Sequence, residues 1–303
     1  MAAMSDSLVN AKPRRLAEFE VGPLAFGCWR LVAMSPAEAR ERLETALDAG
    51  MNLVDNADVY GFDWGGRGFG EAEELLGRVL SDAPGLRDRM VLATKGGIRP
   101  PVPYDSSEAN LVAACEASLK RLGVERIDLY QIHRPDLYAH PAEVAGALDR
   151  LRREGKIAAA GVSNHTPAQI AALLAHLPFP LAANQPEFSA AHLAPMRDGT
   201  FDQCMQHGIA ALAWSPLAGG HLATGEGFSH ELVSALDRLA AREGVDRATL
   251  SIAFVLAHPA APVAILGSMT PERIRGAKAA LSVKLDREDL YAVVQASEGV
   301  PLP

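Results

Sequence analysis

The chain has 303 residues, of which 49% are hydrophobic and 22% are charged, so it is long enough to bury a large core. Its formal net charge of −8 at pH 7 argues against a nucleic-acid partner, because such a partner normally requires a basic face. An anionic cofactor is not excluded, since local basic residues and helix N-termini bind anions.

The cysteines, the histidines and the N-terminus exclude several other classes of protein. Three separated cysteines (Cys28, Cys115 and Cys204) form no C-x-x-C pair, which indicates reduced thiols in a cytoplasmic protein. The nine histidines include no H-E-x-x-H or comparable ligand pair, so no metal site is expected. The first residues lack a signal-peptide pattern, and no apolar run is long enough to span a membrane. Residues 1–12 are expected to form a flexible tail, and residues 13–303 a single domain.

The first predicted elements are a short hairpin, a strand and a helix. Residues 14–20 and a turn at 21–23 lead into a strand over 24–27. Ser35 at the N-cap, Pro36 at the first position and Glu38 at the third predict a helix start, and Gly50 predicts its end. A strand over 51–54 follows at once.

This unit of strand and helix then recurs to the end of the chain. The later strands are predicted over 90–94, 127–132, 157–162, 181–184, 209–213 and 263–266. The later helices are predicted over 71–80, 107–122, 141–154, 166–177, 201–207, 231–243, 247–257, 271–280 and 287–297, the last being an extra C-terminal helix.

The strands are short apolar runs without alternation, as expected when both faces of a sheet are buried. Eight strands, each followed by a helix, predict a closed (β/α)8 TIM barrel. The runner-up is an open Rossmann sheet, which should place G-x-G-x-x-G directly after its first strand, and residues 24–30 contain no such motif. The glycines within residues 65–70 have the wrong spacing and are interpreted as a flexible loop.

Polar side chains stand at the carboxyl ends of the predicted strands, where catalytic groups of this barrel collect. Each has a structural alternative: Lys95 could be solvated or form a Schiff base, and His133 could be only a hydrogen-bonding residue. A carboxylate, a phenol, an amine and an imidazole on consecutive strand ends nevertheless predict a single catalytic site at the carboxyl-terminal end of the barrel. These side chains are Asp55 with Tyr60 in its loop, Lys95 and His133, followed by Asn164, Gln185 and Ser215.

With these residues in place, the chain resembles the aldo-keto reductase family from about residue 14 to 290, and within it the bacterial YdhF-like oxidoreductases. The matching motifs occur in order along the chain. They are GCWR at Gly27, D-x-A-x-x-Y-G from Asp55 to Gly61, TK ending at Lys95, DLYQIHRPD ending at Asp136, GVSN at Gly161, NQPEFS at Asn184, AWSPLAGG at Ala213 and ILGS-x-x-x-x-R at Ile265.

The resemblance implies a role for each of the four catalytic candidates. Tyr60 would be the general acid that protonates the carbonyl oxygen as hydride arrives. Lys95 would lower the pKa of the Tyr60 phenol, which is near 10 in a free side chain. Asp55 would hold Lys95 in place, and His133 would orient the carbonyl.

The resemblance also implies a nicotinamide cofactor, with NADPH preferred to NADH. The preference follows from Arg273 and the Ser268 hydroxyl, which suit a 2′-phosphate. Many relatives have Lys where Gly267 stands, and Glu and Asn where Gly276 and Ala277 stand, so this chain departs from the family at the adenosine end. The implied contacts are Ser163, Asn164 and Gln185 on the carboxamide, Trp214 (often Tyr in relatives) on the nicotinamide ring, Ser215, Pro216, Leu217 and Gly219 along the pyrophosphate, Gly267, Ser268, Met269 and Arg273 at the adenosine end, and further cofactor contacts at Gly27, Trp29 and Asp55.

The substrate is less well defined by the sequence. The expected pocket residues are Trp29, Phe62, Trp64 and Arg134, and the short C-terminal segment predicts an open pocket for small or variable aldehydes and ketones. The predicted function is NADPH-dependent carbonyl reduction by a monomer. The alternative is a cofactor-sensing regulatory subunit, like the potassium-channel β subunits of the same superfamily.

Overall fold

Eight parallel strands close into a barrel in the computed structural model, which describes residues 7–62 and 64–302. The prediction of a (β/α)8 barrel is therefore confirmed. In chain order the strands are β1 (Arg14–Leu16), β2 (Phe19–Val21), β3 (Leu24–Gly27), β4 (Leu53–Asp55), β5 (Val91–Gly96), β6 (Ile98–Arg99), β7 (Val102–Tyr104), β8 (Ile127–Ile132), β9 (Ile157–Ser163), β10 (Ala183–Gln185), β11 (Ala210–Ala213) and β12 (Val263–Leu266).

The barrel consists of β3, β4, β5, β8, β9, β10, β11 and β12, and β12 pairs with β3 to close it. The antiparallel hairpin β1–β2 precedes it, as predicted. Helices surround the barrel. They are α1 (Pro36–Asp48), α2 (Glu71–Asp82), α3 (Glu108–Leu122), α4 (Pro141–Arg153), α5 (Pro167–Leu174), α6 (Thr200–His207), α7 (His221–Thr224), α8 (His230–Glu243), α9 (Arg247–Leu256), α10 (Pro271–Gly276) and α11 (Arg287–Glu298).

The helix starts follow from their capping residues. At α1, Ser35 Oγ accepts from Glu38 N (3.2 Å), and the Glu38 carboxylate accepts from Ser35 N (2.8 Å). Thr166 and Gln169 form the same reciprocal pair at α5. Each pair satisfies two backbone donors that an uncapped helix leaves open, which is why the sequence places these starts correctly.

The structure differs from the sequence prediction mainly in short elements. The hairpin β6–β7 and the single-turn helix α7 were not predicted, because segments of two to four residues carry no periodicity. The helix predicted over 271–280 divides at Gly276, where a 3-10 segment over Ala277–Ser282 continues. Helix α5 ends at Leu174 rather than at residue 177.

The apolar core has two layers. The inner layer fills the barrel with aliphatic residues, several of them small, such as Ala25, Ala93 and Ala183, and Leu16 of the hairpin packs against it. The outer layer lies between the strands and the helices and holds the larger side chains. All three cysteines are buried and free, and burial raises the pKa of each thiol, to about 12 for Cys115 and Cys204.

The segment preceding the hairpin was predicted to be a flexible tail over residues 1–12. Residues 1–6 lie outside the described part of the chain. Residues 7–12 run along the domain, where Leu8 N donates to Leu285 O (2.8 Å) and Asn10 N donates to Leu256 O (3.1 Å). Among the described helices, none is both long enough and apolar enough to cross a membrane.

Candidate active site

A buried lysine at the end of β5 joins the catalytic candidates. Lys95 Nζ donates to Asp55 Oδ2 (2.7 Å), to Asn56 O (2.8 Å) and to Tyr60 OH (3.1 Å). The register makes this possible, because Asp55 pairs with Ala93 on β5 and Tyr60 lies in the loop that follows β4. Lys95 is 0% exposed, so its three donors are all used within the protein.

The charges of this group follow from burial and from close contacts. Burial lowers the pKa of Lys95, but the Asp55 carboxylate and the Tyr60 phenol more than offset it, so the pKa is raised and the ammonium stays charged. Burial raises the pKa of Tyr60, and Lys95 offsets this only in part. Lys95 therefore lowers the pKa of Tyr60, as expected, but burial raises it by more, and the net pKa lies above its ordinary value. Tyr60 is a protonated phenol at neutral pH.

Two glutamines donate hydrogen bonds to the Asp55 carboxylate oxygen that does not contact Lys95. Gln185 Nε2 donates to Asp55 Oδ1 (2.9 Å), and Gln131 Nε2 donates to the same oxygen (3.3 Å). Gln131 was not identified from the sequence. Its position next to Lys95 in the β5–β8 register is a property of strand pairing, which the sequence alone does not give.

His133 stands beside Tyr60, with the two ring centroids 5.8 Å apart in an edge-to-face arrangement. Burial lowers the pKa of His133 well below its ordinary value, and the positive charges of Lys95 and Arg134 lower it further. The imidazole is therefore neutral at physiological pH. Its Nδ1 is buried and has no hydrogen-bond partner among the described residues.

The residues implied for the nicotinamide carboxamide and ring lie together at the ends of β9, β10 and β11. Asn164 Nδ2 donates to Ser163 Oγ (2.8 Å), and Ser163 Oγ donates to Gln185 O (2.9 Å). Trp214 Nε1 donates to Asn164 Oδ1 (2.9 Å). Asn164 has φ 56°, a left-handed conformation that costs about 1 kcal/mol or more for a non-glycine residue and that concentrates at functional sites. Hydroxyl and amide groups of this kind suit a carboxamide, which both donates and accepts hydrogen bonds.

The residues implied for the phosphates lie in the loops after β11 and β12. Ser215 Oγ accepts from Gly219 N (2.8 Å), and Ser215 has φ 54°. Ser268 Oγ accepts from Thr270 N (3.4 Å), and Arg273 is exposed on the first turn of α10. Arg42 of α1, which the sequence did not single out, reaches the same loop and donates from Nε to Met269 O (3.3 Å). Of the other implied contacts, Gly27 and Pro216 are buried, and Leu217 is partly buried.

The four expected pocket residues lie at different places in the loops at the carboxyl-terminal end of the barrel. Trp29 and Trp64 form a tilted pair with ring centroids 4.9 Å apart. The Arg134 guanidinium lies over the Trp214 ring at 5.6 Å. Phe62 is 55% exposed and lines a cavity of about 360 Å³ between its own loop, β6 and α3.

A second buried polar cluster lies next to the lysine and was not found from the sequence. Glu73 of α2 accepts from Thr94 Oγ1 (2.5 Å) and from Arg121 Nε (2.7 Å), so it ties β5 and α3 to α2. Asp58 lies near Glu73 and is 1% exposed, and its backbone N donates to Lys95 O (3.1 Å). No motif marks these residues, because each contact joins separate elements.

The substitution Asp58→Asn is expected to stabilise the protein at pH 7 to 8. Burial raises the pKa of Asp58 well above its ordinary value, and the Glu73 carboxylate raises it further. The folded chain then keeps a proton that the unfolded chain loses near pH 4, so the stability is fully present below that pH and is lost as the pH rises toward the folded-state pKa. Asparagine is neutral at every pH, so the melting temperature of the variant should exceed that of the wild type at pH 7 to 8 and not at pH 4.

The matched control is Asp237→Asn. The Arg247 guanidinium lowers the pKa of Asp237, so this substitution should reduce the stability at pH 7 or leave it unchanged. A lower melting temperature for Asp58→Asn at pH 8 would show that Asp58 is ionised in the folded protein.

Comparison with known proteins gives a consistent result over almost the whole chain. The model of the Aldo/keto reductase family matches residues 23–298. A 6-dehydroglucose reductase of Novosphingobium aromaticivorans is 49% identical over 286 residues, which cover 93% of this chain and 94% of the relative. Oxidoreductase YdhF of Escherichia coli is 36% identical over 296 residues, covering 94% and 96%. Among solved structures, glycerol dehydrogenase AKR11B4 from Gluconobacter oxydans has a TM-score of 0.83 at 27% identity, and the match covers 97% of each chain.

Proposed function

Because the chain belongs to the aldo/keto reductase family and is thus an oxidoreductase, we propose that it reduces an aldehyde or ketone to an alcohol, with NADPH as the hydride donor and Tyr60 as the general acid. The observation that carries the proposal is the set of contacts from Lys95 Nζ to Asp55 Oδ2 and Tyr60 OH. These contacts place a protonated phenol, a buried ammonium and a carboxylate in one polar group.

In this proposal Tyr60 gives its proton to the carbonyl oxygen. The raised pKa of Tyr60 keeps the phenol protonated until a substrate arrives. Lys95, 3.1 Å away, stabilises the phenolate that remains after the transfer, and Asp55 keeps the ammonium in position. A positioned acid of this kind contributes about 10²- to 10⁴-fold to a reaction rate.

His133 has a different role, because its imidazole is neutral. A neutral imidazole can donate one hydrogen bond from one ring nitrogen, and it adds no positive charge next to Lys95. Since its ring meets Tyr60 edge to face, the same carbonyl oxygen could contact both side chains. His133 therefore orients the carbonyl rather than protonating it.

When bound, the nicotinamide supplies the hydride. The carboxamide would be held by Ser163, Asn164 and Gln185. Gln185 Nε2 already donates a hydrogen bond to Asp55. Gln185 Oε1 would accept from the carboxamide. The side chain of Trp214, fixed by its hydrogen bond to Asn164, would form one wall for the ring. The phosphates would contact the segment 215–219 and the segment 267–273.

The preference for NADPH rests on cations at the adenosine end. Arg273 lies in the first turn of α10, and Arg42 of α1 donates to Met269 O, so two guanidinium groups lie near the loop where many relatives have a lysine. Titration by tryptophan fluorescence should show tighter binding of NADPH than of NADH. Arg273→Ala should remove most of this difference while leaving the affinity for NADH unchanged. Tighter binding of NADH by the wild-type protein would refute the preference.

The proposed substrate is the aldehyde of an oxidised hexose. The relative with 49% identity is a 6-dehydroglucose reductase, and so is a relative from Agrobacterium fabrum with 35% identity over 296 residues. The guanidinium of Arg134 over Trp214 offers planar donors for sugar hydroxyls at the mouth.

A panel of carbonyl substrates with both cofactors tests the function. Purified protein should oxidise NADPH in the presence of 6-dehydroglucose and, with a lower kcat/KM, of 4-nitrobenzaldehyde. A protein that binds NADPH and reduces none of the compounds would instead favour the cofactor-sensing alternative.

A further inference from the structure

Gln131 of β8 is a buried amide that has no part in the proposed mechanism. The strand register places it beside Lys95 of β5 and beside Gly161 of β9. A buried amide destabilises a fold unless its polar atoms are hydrogen-bonded, so the partners of Gln131 indicate what the side chain does. These partners are Asp55 and Gln185, which both belong to the proposed active site.

The Asp55 carboxylate fixes the orientation of both glutamine amides. A carboxylate only accepts hydrogen bonds, so each amide must turn its NH2 group towards it. Gln185 Nε2 lies 2.9 Å from Asp55 Oδ1, and Gln131 Nε2 lies 3.3 Å from the same oxygen. Gln185 Nε2 also donates to Gln131 Oε1 (3.5 Å), so both of its N–H groups are used within the protein. A reversed Gln185 amide would instead bring Oε1 against two oxygens that cannot donate.

Gly161 gives the Gln131 side chain the room for this contact. Strand β9, which carries Gly161, lies between β8, which carries Gln131, and β10, which carries Gln185. A Cβ at position 161 would lie 3.2 Å from Gln131 Cγ and 3.0 Å from Ala183 O, and both distances are shorter than ordinary van der Waals contact. The Gln131 side chain therefore extends towards β10 past a residue that has no side chain.

We propose that Gln131 is a positioning residue that fixes the amide of Gln185, so that the site selects a carboxamide on the nicotinamide ring. With Gln131 in place, the Gln185 amide has two anchors, Asp55 Oδ1 and Gln131 Oε1. Gln185 Oε1 is then held as an acceptor for the N–H groups of the carboxamide. Without Gln131, one anchor is left and the amide can turn, which weakens this contact. Gln131 has this role only if the chain binds a nicotinamide dinucleotide, so the inference rests on the proposed function.

The contacts of the proposed proton donor do not include Gln131. Both glutamines donate to Asp55 Oδ1, whereas Lys95 Nζ donates to Asp55 Oδ2 and to Tyr60 OH. Loss of Gln131 should therefore weaken the binding of the dinucleotide and leave kcat at saturating NADPH within about threefold of the wild-type value. A general loss of structure would lower the affinity and kcat together.

The test compares the binding of NADPH with that of its reduced 3-acetylpyridine analogue, by fluorescence titration. The acetyl group keeps the carbonyl oxygen and lacks only the N–H donors of the carboxamide. The wild-type protein should bind the analogue about fivefold more weakly than NADPH, as expected for one lost hydrogen bond. Gln131→Met keeps the length of the side chain without its polar atoms. This variant should bind NADPH about fivefold more weakly than the wild type does, and the analogue as tightly as the wild type does.

Gln203→Met is the matched control, because it removes a buried amide of α6, whose Nε2 donates to Pro167 O (2.8 Å). It should change neither dissociation constant. The fragment 2′,5′-ADP, which lacks the nicotinamide, should bind Gln131→Met as tightly as it binds the wild type. A loss of affinity for this fragment as large as that for NADPH would overturn the positioning role, since the effect would then not be confined to the carboxamide.

The wild-type comparison needs no variant. Equal affinities of the wild-type protein for NADPH and for the analogue would overturn the selection of a carboxamide. If the wild-type protein binds neither dinucleotide, the proposed function itself fails. If it binds NADPH and reduces aldehydes, but Gln131→Met discriminates between the two dinucleotides as the wild type does, only the role of Gln131 fails.

Discussion

Replacing Tyr60 by phenylalanine is expected to lower kcat for aldehyde reduction by about 10²- to 10⁴-fold. The substitution removes one oxygen atom, the phenol oxygen that accepts from Lys95 Nζ at 3.1 Å. The ring and its edge-to-face contact with His133 remain, so the pocket keeps its shape. Because no cofactor contact is proposed for the hydroxyl, the Kd for NADPH should stay within about twofold of the wild-type value.

The measurement combines steady-state kinetics with fluorescence titration of NADPH. The matched control is Tyr104→Phe, which removes the same atom from the partly exposed tyrosine of β7 and should leave both quantities unchanged. A Tyr60→Phe enzyme that retains more than about a tenth of the wild-type kcat would disprove the assigned role, since a general acid contributes far more.

Lys95→Met is the second change with a large expected effect, and it acts on stability as well as on activity. The substitution removes the ammonium that lies 2.7 Å from Asp55 Oδ2 and leaves a carboxylate that is 2% exposed without a counter-charge. Removing one partner of a buried ion pair destabilises a protein by about 3–5 kcal/mol. Activity should fall to background, because the Tyr60 phenolate also loses its stabilising charge.

The double variant Asp55→Asn with Lys95→Met separates the two effects. It removes both charges, so it should recover part of the free energy of unfolding, measured by urea denaturation, but none of the activity. Lys156→Met is the control: that lysine is 25% exposed, and loss of its surface ion pairs should change the free energy of unfolding by about 1 kcal/mol or less. A double variant that is less stable than Lys95→Met would contradict the account of the ion pair.

The sequence predicts most of the fold for a physical reason. The barrel strands are short buried runs, several of which end at a polar residue, and helices such as α1 and α5 begin at a side chain, Ser35 or Thr166, that caps them. Catalytic candidates could be identified because this barrel collects them at its strand ends, as Asp55 and Lys95 illustrate. These signals are local, so they can be read along the chain.

What the sequence misses depends on contacts between distant segments. Gln131 reaches Asp55 only through strand register, and Arg42 reaches Met269 only because α1 lies beside the loop after β12. Lys95 lowers the pKa of Tyr60, as expected, but the net pKa is raised because burial, which the sequence does not quantify, outweighs the charge.

The burial of the cysteines determines how readily their thiols react with electrophiles. Aldehydes are electrophiles, and the nucleophilic form of cysteine is the thiolate. Because burial raises the pKa of Cys28, Cys115 and Cys204, each remains a shielded thiol at neutral pH and offers little to an aldehyde or a peroxide. The three cysteines should therefore resist modification by reactive carbonyl compounds and oxidation during storage without reducing agents for as long as the protein stays folded.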